Sequence, residues 1–450
     1  MAGQKEKDPD KTEKTNHTTH QSLLPKSETG SQARLWLSFL SWERASESYA
    51  GFARAESFWI RDRNGPSYVL FLLVDEVEDI NRLIRELNEE GREEALGEES
   101  ARLNRWLDVL IERRGSDLLL VAGSPPCVRT DGAVLPLKEA PVSGEEIEEA
   151  ILPALPGRAR SQYAQEKIAD ASYKVPGRGR FRINLHRERG RAAATVRSLP
   201  TDPPRLASLG LPAGAEALTR LPRGLVLIGG PTGSGKTTTL AALVEEINRR
   251  EARHIVTIED PIEYEHAHRT SLIEQIEIGS DAPDFATALR AAMRQAPDVL
   301  VVGEMRDPET MRIALGAAET GHLVFSTVHT TDVASTISRV ADSFPPERQP
   351  TIRQELSMAL AAVLTQTLLP RKAGGRVPAA ELLMVGYGAR QHIRKNALQH
   401  LHQEIVLTRK NGSVTLEESL ARLARENIVD VEEARSRAAH PEEFETYLRG

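Results

Sequence analysis

The stretch from Leu225 to Leu240, LVLIGGPTGSGKTTTL, leaves this chain little freedom of fold. An apolar run, Leu225 to Ile228, closes on Gly229 and Gly230, and the residues after the loop carry a stripe at Leu240, Leu243, Val244 and Ile247. That spacing is one face of a helix, so the segment predicts strand, tight loop, helix. Gly230 to Thr237 fits G-x-x-x-x-G-K-[ST] at every fixed position. Glycines let backbone N–H groups converge on an anion, and the helix N-terminus adds partial positive charge at the same place. Gly230, Pro231, Thr232, Gly233, Ser234, Gly235, Lys236, Thr237 and Thr238 are therefore the expected nucleotide contacts. In such loops the lysine, here Lys236, reaches the β and γ phosphates, and the hydroxyl, here Thr237, takes a position on Mg²⁺. ATP and Mg²⁺ follow as the expected ligands.

The chain has 450 residues, 40% of them hydrophobic and 27% charged, which suits about three soluble domains. Its formal net charge of -7 gives no basic footprint, which argues against nucleic acid as the main partner. No apolar run reaches the roughly 18 residues of a membrane span, and Met1 to Lys14 lacks the apolar core of a secretion signal. A cytoplasmic protein is expected. The single cysteine, Cys127, excludes an intramolecular disulfide and any multi-cysteine zinc site.

Residues 1–32 are polar with almost no apolar content and are expected to form a disordered tail. Residues 33–100 hold Trp36, Trp42 and Trp59, two strand-like runs around Asn64-Gly65-Pro66, and a helical stripe at Ile80, Leu83, Ile84 and Leu87. They read as a small α+β extension without evident chemistry. Residues 101–204 alternate helix and strand patterns up to the stiff linker Pro200-Thr201-Asp202-Pro203-Pro204 and read as a second α/β domain. The core, residues 205–385, repeats one design. His254 to Ile258 and Val299 to Val302 are apolar strands that end in acids, Glu259, Asp260 and Glu263 after the first and Glu304 after the second. Leu323 to Val328 is a third strand, flanked by His322 and His329. Strands alternating with helices argue a parallel sheet covered on both faces, and open α/β sheets bind ligands at the carboxyl ends of their strands. From Arg348 to the end, including residues 386–450, the pattern reads as mostly helical.

In order, Gly229 to Thr239, Ile258 to Tyr264, Gly303 to Asp307, and Thr320 to His322 through His329-Thr330 resemble the motor ATPases of type II secretion and type IV pili. The chain is most similar to the pilus retraction, or twitching motility, branch. Ser116 to Leu118, Arg180 to Asn184 and Gln366 to Pro370 extend the likeness over roughly residues 102–440, leaving the first hundred outside it. The resemblance implies a hexameric ring of RecA-like ATPase domains, each joined to a PAS-like N-terminal domain. It implies that Glu304 holds Mg²⁺ directly or through water, that Glu263 activates water, and that Glu259 and Asp260 position the metal shell. It further implies that His322 and His329 couple nucleotide state to domain position, and that Arg180, Arg182, Arg189 and Arg197 lie on the arginine-bearing strands. The implied partners are other copies of the chain, an inner-membrane pilus platform protein at which it docks peripherally, and a paralogous motor.

On residue types alone, several of these roles have ordinary structural alternatives. Histidines are often satisfied within a fold, and arginines on alternate strand positions often make a solvated face. Extension and secretion motors typically carry a four-cysteine zinc site, which this chain lacks, so retraction is the expected direction of work. An accessory paralogue of the retraction motor is the alternative, because the helix after Tyr387 departs from the retraction pattern, reading Gly388 to Lys395 as GARQHIRK. An extension or secretion ATPase and a nucleic-acid motor are the weaker readings.

Overall fold

The computed structural model describes residues 55–60, 68–73, 101–200 and 202–450. They fall into two units, one within Met1–Arg92 and one spanning Glu93–Gly450, and each is described by itself. In the first unit β1 (Ala55–Ile60) and β2 (Tyr68–Leu73) pair antiparallel with Ile60 opposite Tyr68, which matches the two strand runs read from the sequence. The expected disordered tail, the Asn64-Gly65-Pro66 turn and the Ile80 to Leu87 stripe lie outside the described residues.

The second unit begins with α1 (Ala101–Glu112), whose buried face is Leu103, Trp106, Leu107 and Leu110. An antiparallel sheet follows, built from β3 (Asp117–Val121), β4 (Cys127–Thr130), β5 (Ala133–Pro136), β6 (Ile168–Val175), β7 (Gly179–Glu188) and β8 (Arg191–Leu199) in the order β5-β4-β3-β8-β7-β6. Helices α2 (Gly144–Ile151) and α3 (Gly157–Glu166) separate its halves, and Ser143 and Glu146 form a capping box at the start of α2. Strands β7 and β8 alternate sharply. Phe181, Ile183, Leu185 and Val196 go inward to the core, and Arg182 and Arg197, directly opposite each other in register, go outward.

The second sheet has the order β11-β10-β12-β13-β9-β14-β15. Its strands are β9 (Gly224–Gly229), β10 (His254–Glu259), β11 (Leu272–Glu277), β12 (Val299–Val302), β13 (Leu323–Val328), β14 (Leu360–Pro370) and β15 (Arg376–Met384). All neighbours are parallel except β14 and β15. Helices α4 (Lys236–Arg250), α5 (Phe285–Ala292), α6 (Pro308–Glu319), α7 (Val333–Asp342) and α8 (Gln349–Ala359) complete the alternation, and separate apolar cores on the two sides of the sheet cover both its faces.

Five further helices follow: α9 (Tyr387–Arg394), α10 (Leu401–Leu407), α11 (Leu416–Arg425), α12 (Val431–Arg437) and α13 (Pro441–Arg449). A satellite core under Phe444 and Leu420 joins α11 and α13 to β15, and His402 on α10 pairs with Glu443 on α13 at 3.0 Å. The helical reading from Arg348 onward therefore needs correction at residues 360–384. A strand buried on both faces is a near-continuous apolar run, and at this length periodicity cannot separate it from a buried helix. The β-branched Val363, Thr365 and Thr367 lie within that run.

Glu381 sits on β15 opposite Thr365 and accepts the Val333 N–H at the start of α7 at 2.9 Å. Burial pushes its carboxyl up to about 7; the Val333 N–H works against this, while Asp332 and Glu417 add to it. A carboxyl raised in the folded state contributes stability that is full below its unfolded pKa and lost as pH rises through the folded one. Glu381→Gln should therefore gain roughly 3 kcal/mol on wild type at pH 8 and under about 1 kcal/mol at pH 5, as read by thermal unfolding at both pH values.

Candidate nucleotide site

The parallel register brings four strand ends level. Gly229 pairs with Val328, Val302 with Ser326, and Ile258 with Val302, so the residues that follow all leave the sheet at one edge. From β9 the chain enters the glycine loop. Gly230 has φ +153°, and a Cβ there would lie 2.3 Å from Ser234 Oγ and 2.6 Å from the Gln366 carbonyl. Gly235, at φ +88°, leads into α4 without a side-chain cap. The first N–H groups of α4 have no intrahelical acceptor, which makes the loop an anion cradle. Ser234 Oγ is buried with no hydrogen-bond partner among the described residues, as suits a loop shaped to receive polar ligand atoms.

Lys236 lies folded inside this loop. Its Nζ donates to the carbonyls of Gly230 at 2.8 Å and Pro231 at 3.0 Å. Burial pulls the ammonium below its ordinary range, and the Glu304 carboxylate opposes that shift. His329, just past β13, stands with Nδ1 3.5 Å from Lys236 Nζ and Nε2 3.7 Å from Glu304 Oε2. The tautomer that serves both contacts carries its hydrogen on Nε2. Glu304 also pairs with Arg306 at 2.6 Å.

The acidic turn after β10 passes through a cis Asp260–Pro261 peptide. Glu259 accepts from Thr257 Oγ1 at 2.7 Å and Gln275 Nε2 at 3.2 Å, and its burial raises its pKa. Glu263 is half-buried against the Thr237 hydroxyl; desolvation raises its pKa, and the nearby Arg182, Thr237 and Arg197 counter it. Asp260 is raised by burial and lowered by Arg182.

The four candidate arginines separate clearly. Arg182 and Arg197 are exposed, lie close enough for their charge to act on Glu263, and are held by Asp170 at 3.3 Å and Asp117 at 2.8 Å, with Arg182 lining a pocket together with Asp260. Arg180 is instead committed to Glu277 and, at 3.4 Å, to Glu265. Arg189 occupies the hairpin between β7 and β8 with φ +48° and pairs only with its neighbour Glu188 among the described residues. The two histidines separate as well. His322 precedes β13, level with the start of β9, and its Nδ1 lies 3.0 Å from the Ala317 carbonyl. It stands at the opposite end of the sheet from the glycine loop.

Three contributors were not singled out from the sequence. Gln366, in the middle of β14, donates to the Ser234 carbonyl at 2.7 Å and accepts from Thr239 Oγ1 at 2.8 Å, clamping the loop. Tyr264 hydroxyl meets Thr238 Oγ1 at 3.1 Å and ties the acidic turn to α4. Glu277 binds the Ile262 N–H at 3.0 Å inside the same turn. Gln366 and Tyr264 both lie within stretches that carry the family resemblance, whereas a lone glutamate at the end of β11 carries no local signal.

A glycine loop between a central strand and its helix, with acids from two other strands of the same sheet at the same edge, defines a P-loop nucleotide hydrolase. Comparison with known proteins narrows that class. The family described as type II/IV secretion system protein matches residues 213–440. The chain is 41% identical to the type IV pilus retraction ATPase PilT of Pseudomonas aeruginosa over 73% of its own length and 96% of that relative. It is 34% identical to the type IV pilus ATPase PilU of the same organism, over 74% of this chain and 88% of that one. A crystal structure of the pilus retraction motor PilT with bound ADP matches with a TM-score of 0.70 at 41% identity, covering 75% of this chain and 97% of that one. The chain belongs to the type II/IV secretion ATPase family.

Two substitutions test the cradle. Lys236→Ala is expected to weaken nucleotide binding by at least about 100-fold, a loss of roughly 2.7 kcal/mol of charge-assisted hydrogen bonding. Gly230→Ala should do the same by a different route, since its Cβ displaces Ser234 or Gln366. Titration with a fluorescent ATP analogue reads both, and wild-type affinity in either variant contradicts the assignment.

Proposed function

We propose that this chain hydrolyses Mg-ATP as a subunit of a hexameric ring motor and that the work it performs is type IV pilus retraction. The observation that carries the hydrolytic reading is Glu263, desolvated beside the Thr237 hydroxyl and faced by two arginines. A carboxylate whose basicity is raised by desolvation is suited to orient water and accept its proton. Lys236 and the N–H groups of the loop bind the phosphates, and Arg182 and Arg197 offer positive charge to the anion as it develops. Glu304, next to Lys236, and the Thr237 hydroxyl are hard oxygen donors of the kind Mg²⁺ prefers, and they are the groups that would hold it. When bound, Mg²⁺ neutralises phosphate charge. Glu259 and Asp260 buttress the turn, and His329 links Lys236 to Glu304 and so senses what sits between them.

Similarity to PilT through nearly all of that relative's length supports retraction. So does the lack of a four-cysteine site, because the one cysteine, Cys127, lies on β4. Among the described residues no helix is long and apolar enough to cross a membrane, so force would reach the pilus through a docked inner-membrane platform protein. The likeness to PilU favours one second reading, a paralogue that assembles with another motor. Steady-state hydrolysis by the purified chain alone separates the two.

Glu263→Gln should keep Mg-ATP affinity yet turn over about 100-fold or more slowly, and Glu304→Gln should shift the Mg²⁺ dependence as well. Identical Mg²⁺ titrations for the two variants would contradict this division of labour. In cells, deletion of the chain is expected to leave surface pili abundant and twitching abolished, scored by electron microscopy and plate motility. Loss of surface pili would instead indicate an assembly motor.

A further inference from the structure

Glu277 ends β11, directly opposite Glu259 in register, and only 5% of it is exposed. Its carboxylate collects contacts from two domains. On the ATPase side it accepts the Ile262 N–H at 3.0 Å and the Ser280 hydroxyl at 3.4 Å. From the antiparallel sheet it accepts the Ser172 hydroxyl of β6 and the Arg180 guanidinium of β7. Arg180 is itself largely buried, and it donates to Ser172 at 3.1 Å and Glu265 at 3.4 Å. Lys174, also on β6, reaches the same Glu265 at 2.9 Å. Ile262 is the residue immediately before Glu263, so one carboxylate fixes the peptide that aims the water-orienting acid and also anchors the domain that carries Arg182 and Arg197.

We propose that Glu277 is a positioning residue that couples the seating of the N-terminal domain to the alignment of Glu263, with Arg180 as its partner rather than as a group that meets phosphate. The inference rests on the hydrolytic reading above and deepens it. Because the carboxylate is buried, lifting the N-terminal domain would strip it of its one guanidinium partner and leave an uncompensated charge inside the fold. The favoured way to relieve that charge is for the carboxylate to move, and Ile262 and Glu263 move with it. Misplacing a reacting group slightly is enough to lower turnover strongly without weakening binding.

The test is a double-mutant cycle on the full chain, reading kcat and KM for Mg-ATP together with affinity for a fluorescent ATP analogue. Glu277→Gln and Arg180→Gln should each lower kcat about tenfold with KM and affinity within about twofold of wild type. The double variant should be no worse than either single one, and Arg180→Lys should recover most of the rate. Arg182→Gln, acting separately, should multiply with Glu277→Gln. Ser172→Ala removes one contact without stranding a charge and should lower kcat by about two- to fivefold, which keeps the proposal testable should Glu277→Gln fail to fold. Wild-type kcat in Ser172→Ala and Glu277→Gln, or multiplicative effects of Glu277→Gln and Arg180→Gln, would overturn it. A wild-type chain that hydrolyses nothing would instead overturn the hydrolytic reading beneath it.

Discussion

The level ending of β9, β10, β12 and β13 is the constraint on which the site depends. Parallel strands with helical crossovers deliver successive strand ends to the same edge, so side chains dozens of residues apart arrive together without any loop having to be specified in detail. The loop after β9, the turn after β10, Glu304 after β12 and His329 after β13 are four products of one topological rule. What the loops add is local. Glycines admit close backbone approach at Gly230, and Gln366 from β14 holds the loop from the side opposite β13.

The antiparallel sheet contributes by a different rule. Strand alternation puts every second residue on one face, so a strand can serve a core and a cleft at once. Phe181, Ile183 and Val196 serve the core, and Arg182 and Arg197 serve the cleft. Arg180 lies on the same face of β7 as Arg182, yet it is drawn into a buried pair with Glu277. What separates their roles is burial of the arginine itself: Arg180 is largely enclosed with its carboxylate, whereas Arg182 and Arg197 keep exposed guanidinium groups, Arg197 doing so even though its partner Asp117 is buried.

Much of this was legible in the sequence. The glycine loop and the two acid-tipped strands carry strong local signals because backbone geometry restricts the residues that fit them. The pattern failed at residues 360–384, where a doubly buried strand looks like a helix, and it gave no hint of Glu277, whose importance comes from a partner 97 residues away. Equal weighting of His322 and His329 shows the same limit. They bracket one strand, so residue type cannot separate them; position along the strand does, because only the carboxyl end meets the loop.

On the proposed function, the loop, the acidic turn and the two outward arginines enclose one phosphate site. A structure of the full chain with Mg²⁺ and a non-hydrolysable ATP analogue tests it most directly. Lys236 Nζ is expected to leave the Gly230 and Pro231 carbonyls for the β and γ phosphates, with Glu263 and at least one of Arg182 and Arg197 turned toward the γ phosphate. A bound nucleotide with Lys236 still on those carbonyls, or with Glu263 and both arginines turned away, would contradict it.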